Sequence, residues 1–264
     1  MTFHDKLQSA ATGRIGVCVG LDPIPERLPA KFANDPDALY HFNCEIIEAT
    51  QNFAAAYKPN LAFYERFGAV GWEQLRKTVL SVPEGKVILL DAKRGDIGST
   101  SAAYADAMFG TLGGDAVTVS PYLGSDSIDP FVKEASKGIY LLAVTSNPGG
   151  SDFQELKING EPLYCYVIRL ARKLATLKNI GLVVGATRPE LWDKVLSEAV
   201  DLPLLIPGVG AQGGDPVEIR RILTDYPGVA LVNSSRAIIH ASSGADFAKA
   251  ARDAAEKLHE QLRG

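Results

Sequence analysis

The chain has 264 residues, 46% of them hydrophobic and 22% charged, with a formal net charge of −4. This is the make-up of a globular protein of one or two domains, with no basic footprint for nucleic acid or an anionic membrane. No apolar run approaches the ~20 residues that cross a bilayer, and MTFHDKLQSAATGR lacks the order of a signal peptide, so a cytoplasmic protein is expected.

Eight short apolar runs rich in Val, Ile and Leu read as strands, and longer segments of helical period lie between them. IGVCVGL (15–21) comes first and ends in Asp22; a helical stripe of Leu39, Phe42, Ile46 and Ala49 follows within 36–52. FAAAYKP (53–59) ends in Lys58 and precedes a predicted helix at 62–80. KVILLD (86–91) runs into Asp91 and Lys93, with a helix at 99–112. DAVTVS (115–120) is followed by a helix at 126–136. After IYLLAV (139–144), VTSNPGGSDF (144–153) opens a long connection with Ser146 near its root. Loops of that length in compact domains are usually functional or disordered, although Ser146 reads equally well as a turn residue before Asn147-Pro148. The next helix, 163–177, carries Leu163, Val167, Leu170, Leu174 and Leu177 on one stripe. IGLVVGA (180–186) leads to a helix at 188–199, LPLLIP (202–207) to one at 215–225, and GVALVNS (228–234) to one at 245–262.

Eight strand–helix units mean a (β/α)8 barrel or a doubly wound sheet. Their even spacing, with no linker or composition break, favours the barrel as a single domain spanning 1–264. Continuous rather than alternating hydrophobicity fits strands buried on both faces. Cys18, Cys44 and Cys165 form no disulfide framework and read as small core residues; Trp72 and Trp192 read as helix packing. The histidines, at 4, 41, 240 and 259, lack metal-ligand spacing, so no structural zinc site is expected.

Function in such a barrel sits at the C-terminal strand ends. Asp91 and Lys93 are two apart, which strand alternation would aim into one mouth, and Asp22 and Lys58 come from neighbouring strands of the same rim. Converging there, two carboxylates and two ammonium groups would have to be paired, and pairing would keep Lys93 protonated; a structural ion-pair network is the bland alternative. The loops after strands 7 and 8 are the usual phosphate site. GVGAQGGD (208–215) supplies glycine-freed N–H groups and Gln212 ahead of a helix N-terminus, and NSSRA (233–237) supplies Arg236.

These motifs carry a resemblance. LLDAKRGDIGST, with GLDPIPERLP, AYKPNLAFYE, TSNPGG, PGVGAQGGD and NSSRA in the same order, is similar to the orotidine 5′-phosphate decarboxylases, in particular the longer bacterial subfamily. The resemblance covers essentially the whole chain. It implies a charged tetrad of Lys58, Asp91, Lys93 and Asp96, with Lys93 as proton donor. It implies a homodimer in which Asp96 and Thr100 enter the neighbouring site. Asp22 and Lys58 would hold ribose and Ser146 the pyrimidine. Gln212 and Arg236 would hold phosphate, with Gly210 and Ser235 nearby. No metal or organic cofactor is implied. Metal-dependent sugar-phosphate relatives resemble the chain around DxKxxD, but they carry an acid where Lys58 stands, which suits Mg2+ as an ammonium does not. A Schiff-base aldolase, or a non-catalytic nucleotide-binding barrel, remains the other reading.

Overall fold

The eight apolar runs become eight parallel strands because branched side chains on both faces of each can be buried at once, from inside a barrel and from the helices around it. The computed structural model describes residues 1–11, 13–210 and 213–264. Its strands are β1 (Ile15–Gly20), β2 (Ala54–Lys58), β3 (Val87–Arg94), β4 (Ala116–Val119), β5 (Gly138–Val144), β6 (Ile180–Val184), β7 (Leu204–Pro207) and β8 (Ala230–Ser234). Each pairs in parallel with its sequence neighbour, and β8 closes on β1 through Ile15–Ala230 to Val19–Ser234, so the sheet is a barrel and not an open doubly wound one.

Side chains sort by parity. Cys18, Leu89, Tyr140, Leu205 and Leu231 fill the barrel interior, while Val17, Leu90, Leu141, Leu204 and Val232 pack outward beneath the helices. A helix that periodicity did not reveal, Phe3–Ala11, buries Phe3, Leu7 and Ala11 against the strand starts. A Cβ on Gly138, at the start of β5, would come within 2.4 Å of the Phe3 ring, so glycine there admits the helix. This plug seals the N-terminal mouth and leaves the C-terminal one open.

Several predicted helices are interrupted. The 62–80 segment is two helices, Ala62–Glu65 and Gly68–Leu80, the second opening on Gly68 at φ 58°. The 126–136 segment shrinks to Ser125–Ile128 and a 3-10 turn at Asp129–Phe131, where Pro130 contributes no N–H. Gly98–Ala105 continues as a π-helix over Asp106–Thr111. The long connection after β5 is ordered: a 3-10 turn at Pro148–Asp152, then a two-residue ladder between Lys157–Ile158 and Glu161–Pro162. Cys18 and Cys165 are buried as expected; Cys44 is only partly so, and its Sγ lies 3.5 Å from Ser81 Oγ. Among the described residues, no helix is long and apolar enough to cross a membrane.

Candidate active site

The C-terminal strand ends surround a cavity of about 450 Å³. Lys58, the last residue of β2, is 3% exposed, and its Nζ lies 3.0 Å from Asp91 Oδ2. Lys93 Nζ lies 2.6 Å from the other oxygen, Asp91 Oδ1. One carboxylate therefore sits between two ammonium groups. Asp22, just beyond β1, is 8% exposed, and its Oδ1 accepts from the Asn60 N–H at 3.1 Å. Asp22, Lys58, Asp91 and Lys93 all line the cavity, as their positions at adjacent strand ends led one to expect.

Strand alternation is not what brings Asp91 and Lys93 together. Lys93 has φ 47°, and the β3–β4 register jumps from Leu90–Val117 to Arg94–Val119. This left-handed turn is uncommon for a lysine and is held by Thr118. Its Oγ1 accepts from the N–H groups of Ala92 (3.0 Å) and Lys93 (2.9 Å), and donates to Asp91 Oδ1 at 3.0 Å. A single hydroxyl thus fixes both the strained backbone and the carboxylate that Lys93 meets.

Burial alone would drive the proton off Lys58 and onto Asp91. The Lys58 charge survives because Asp91 and Asp22 outweigh its desolvation, and its pKa ends above the usual lysine value. Asp91 is likewise desolvated, yet Lys58 and Lys93 hold its carboxyl well below the ordinary range. The pair is ionised across the physiological range. Cys18 lies in the interior of the same barrel, and burial pushes its thiol up to about 12, so it is a neutral packing group.

The other strand ends complete the pocket. Ser146 lines it, packed so closely over Gly185 that a Cβ there would come within 2.8 Å of the Ser146 nitrogen. The loop root is braced by Gln154, whose amide bonds both the N–H (2.9 Å) and Oγ1 (2.8 Å) of Thr145. Ser235 and Arg236 line the cavity from beyond β8, where Arg236 opens the short helix Arg236–Ile239. Ser235 approaches β1 so closely that a Cβ on Gly20 would lie 1.8 Å from its Oγ.

Gly210, at φ 80°, does not line the cavity; its N–H is turned back on the Gly214 carbonyl at 3.1 Å. Gln212 lies outside the described residues. Asp96 and Thr100 lie outside the pocket lining of their own chain; Asp96 Oδ1 accepts from the Ile97 N–H at 2.8 Å, and Thr100 is exposed on the helix Gly98–Ala105. Among the lining residues that the sequence did not single out are Asn60, Thr118 and Asn233. Among the described residues, no three His, Cys, Asp or Glu side chains are grouped to hold a metal ion, and in the pocket the charged partners of Asp91 are ammonium groups.

An array of this kind can stabilise negative charge developing above Lys93 and return a proton to it. Residues 16–254 match the family described as Orotidine 5′-phosphate decarboxylase / HUMPS. An orotidine 5′-phosphate decarboxylase of Herpetosiphon aurantiacus is 48% identical over 257 residues, covering 96% of this chain and 95% of that protein. The structure of Leishmania donovani OMP decarboxylase superposes with TM-score 0.83 at 37% identity, each chain covered in full. That of Leishmania donovani UMP synthase superposes with TM-score 0.86 at 38% identity; the match covers all of this chain and 57% of that one.

Proposed function

The chain belongs to the orotidine 5′-phosphate decarboxylase / HUMPS family, and we propose that its Lys58–Asp91–Lys93 array performs the decarboxylation of orotidine 5′-phosphate. The activity is that of a carboxy-lyase of pyrimidine nucleotide biosynthesis, releasing UMP and CO2. The observation that carries the residue assignment is the doubly paired carboxylate, with Lys93 ion-paired on one side and half exposed to the cavity on the other.

The C6–carboxylate bond breaks and its electron pair stays on C6, in an sp2 orbital that the pyrimidine ring cannot delocalise. Stabilisation must come from charge already in place. The Lys93 ammonium lies beside C6, and its proton moves from Nζ to C6 as CO2 leaves; water then reprotonates the amine. Asp91 faces the substrate carboxylate, and their repulsion disappears on loss of CO2. Neither metal nor organic cofactor takes part.

Arg236, with Gln212 and Ser235, binds the phosphate, whose binding energy organises the pocket although phosphate takes no part in bond breaking. Asp22 and Lys58 hold the ribose and Ser146 the pyrimidine. The working unit is a homodimer of single-domain barrels in the cytoplasm, and Asp96 and Thr100 of the partner subunit complete each site. Their position outside the pocket of their own chain supports this reading.

The test is the ultraviolet absorbance of orotidine 5′-phosphate mixed with purified protein and EDTA. Rapid conversion to UMP is expected. An unchanged spectrum from protein of verified fold would overturn the assignment, and Mg2+ with pentulose or hexulose phosphates would then be tried.

A further inference from the structure

Asn233 is 7% exposed, on β8, between Cys18 of β1 and Pro207 of β7. It lines the pocket, and no role assigned above uses it. Its Oδ1 is sealed from solvent and has no hydrogen-bond partner among the described residues. A buried amide oxygen left unpaired costs about 1–3 kcal/mol, and an apolar side chain of similar volume would spare the fold that cost. Such groups in native proteins call for an explanation from function or from a missing partner. The surroundings say which partner fits. Arg236 lies three residues on, and the Asp22 and Lys58 carboxylate and ammonium stand across β1. Ser146 follows β5, on the opposite side of the barrel. The part of a nucleotide that spans from the phosphate end to the charged array is its sugar. A sugar hydroxyl both donates and accepts, so it can pair with the amide whichever way that amide is turned.

We propose, on the decarboxylase reading above, that Asn233 is a further substrate-positioning residue whose side-chain amide hydrogen-bonds to a hydroxyl of the nucleotide sugar. The Asn233 oxygen has no partner among the described residues, and turning of the amide about its soft terminal torsion lets the sugar hydroxyl supply one.

Asn233→Leu removes the polar group while keeping the branched shape of the side chain, and Asn233→Ala removes it while leaving space. UMP affinity would be measured by calorimetry, inhibition by ribose 5-phosphate by turnover assay, and Tm by thermal melt. Expected are roughly tenfold weaker binding of both UMP and ribose 5-phosphate, and a loss in kcat/KM that falls mainly on KM. Asn233→Leu should show no fall in Tm. Unchanged affinities in both variants would overturn the proposal, as would a lowered Tm with binding intact, which marks a structural amide. Weakened UMP binding with unaltered ribose 5-phosphate inhibition would overturn the contact to sugar. Wild-type protein that failed to turn over orotidine 5′-phosphate would instead sink the reading on which the proposal rests.

Discussion

Lys93 and Thr118 divide the work of the central array between charge and placement. Lys93 is half exposed to the cavity and bonds Asp91 on its inner side. Replacing it with Ala should nearly abolish turnover and leave UMP binding measurable; a variant that kept most of its kcat would exclude Lys93 as proton donor. Thr118 carries no charge, yet it accepts two backbone N–H bonds at the left-handed turn and donates one to Asp91. In Thr118→Val the shape is kept and all three bonds are lost. Stability should fall by about 1–3 kcal/mol. Turnover should fall at least about tenfold, because the aim of Lys93 is no longer fixed. Steady-state kinetics with a denaturation curve would check both, and a variant that lost stability without losing kcat would confine Thr118 to the fold. Asp22, Lys58, Asp91 and Lys93 were legible as strand-end charges because ionised groups next to an apolar run stand out. Asn60, Thr118 and Asn233 were not, since a neutral polar residue in a strand or turn has the same appearance whether it faces a site or a neighbour.

Among the elements, the N-terminal helix and the short helix after β8 serve opposite ends of the barrel. Leu7 is fully buried against the strand starts, far along the strands from the chemistry. Leu7→Ala should therefore cost about 2–5 kcal/mol of stability with kcat unchanged at temperatures where the protein stays folded, as a thermal melt beside a turnover assay would show. The helix Arg236–Ile239 ends at His240, which stacks on Phe42 at 5.7 Å and whose Nε2 accepts from the Ile24 N–H at 3.3 Å. Burial, aided by Arg27, pushes the His240 pKa down to about 4. The folded protein thus favours neutral His240. Its stabilising effect is fully present above the unfolded value of about 6.5 and is lost progressively as pH falls from there towards about 4. Wild-type Tm should decline between pH 6.5 and 5, while His240→Gln, which keeps an acceptor but does not titrate, should show a flatter profile. Equal slopes would remove His240 from the acid response. Neither helix was foreseen. Phe3–Ala11 offers only Phe3, Leu7 and Ala11 as a stripe, and the four residues from Arg236 are too few to establish a period.

For the whole molecule, the proposed dimer makes a test that no single site could pass. Mixed subunits of Lys93→Ala and Asp96→Ala would contain one site lacking both groups and one lacking neither. Random reassociation should then restore about a quarter of wild-type activity from two inactive parents. No recovery, with exchange of subunits verified, would mean that Asp96 serves its own chain. The eightfold strand–helix order and the charged rim could both be read from the sequence, because each is written in residue type and spacing along one segment. Closure of β8 on β1, the left-handed turn at Lys93 and the two-sided pairing of Asp91 are products of tertiary structure. So is the lack of a partner for Asn233 Oδ1 among the described residues. Each depends on which segments distant in the chain become neighbours: Thr118 shapes the backbone at Lys93 from the next strand, and Asn233 Oδ1 lacks a partner among the described residues because of what the barrel packs around it. Local sequence determines what a segment can offer; close packing of remote segments decides which offers meet.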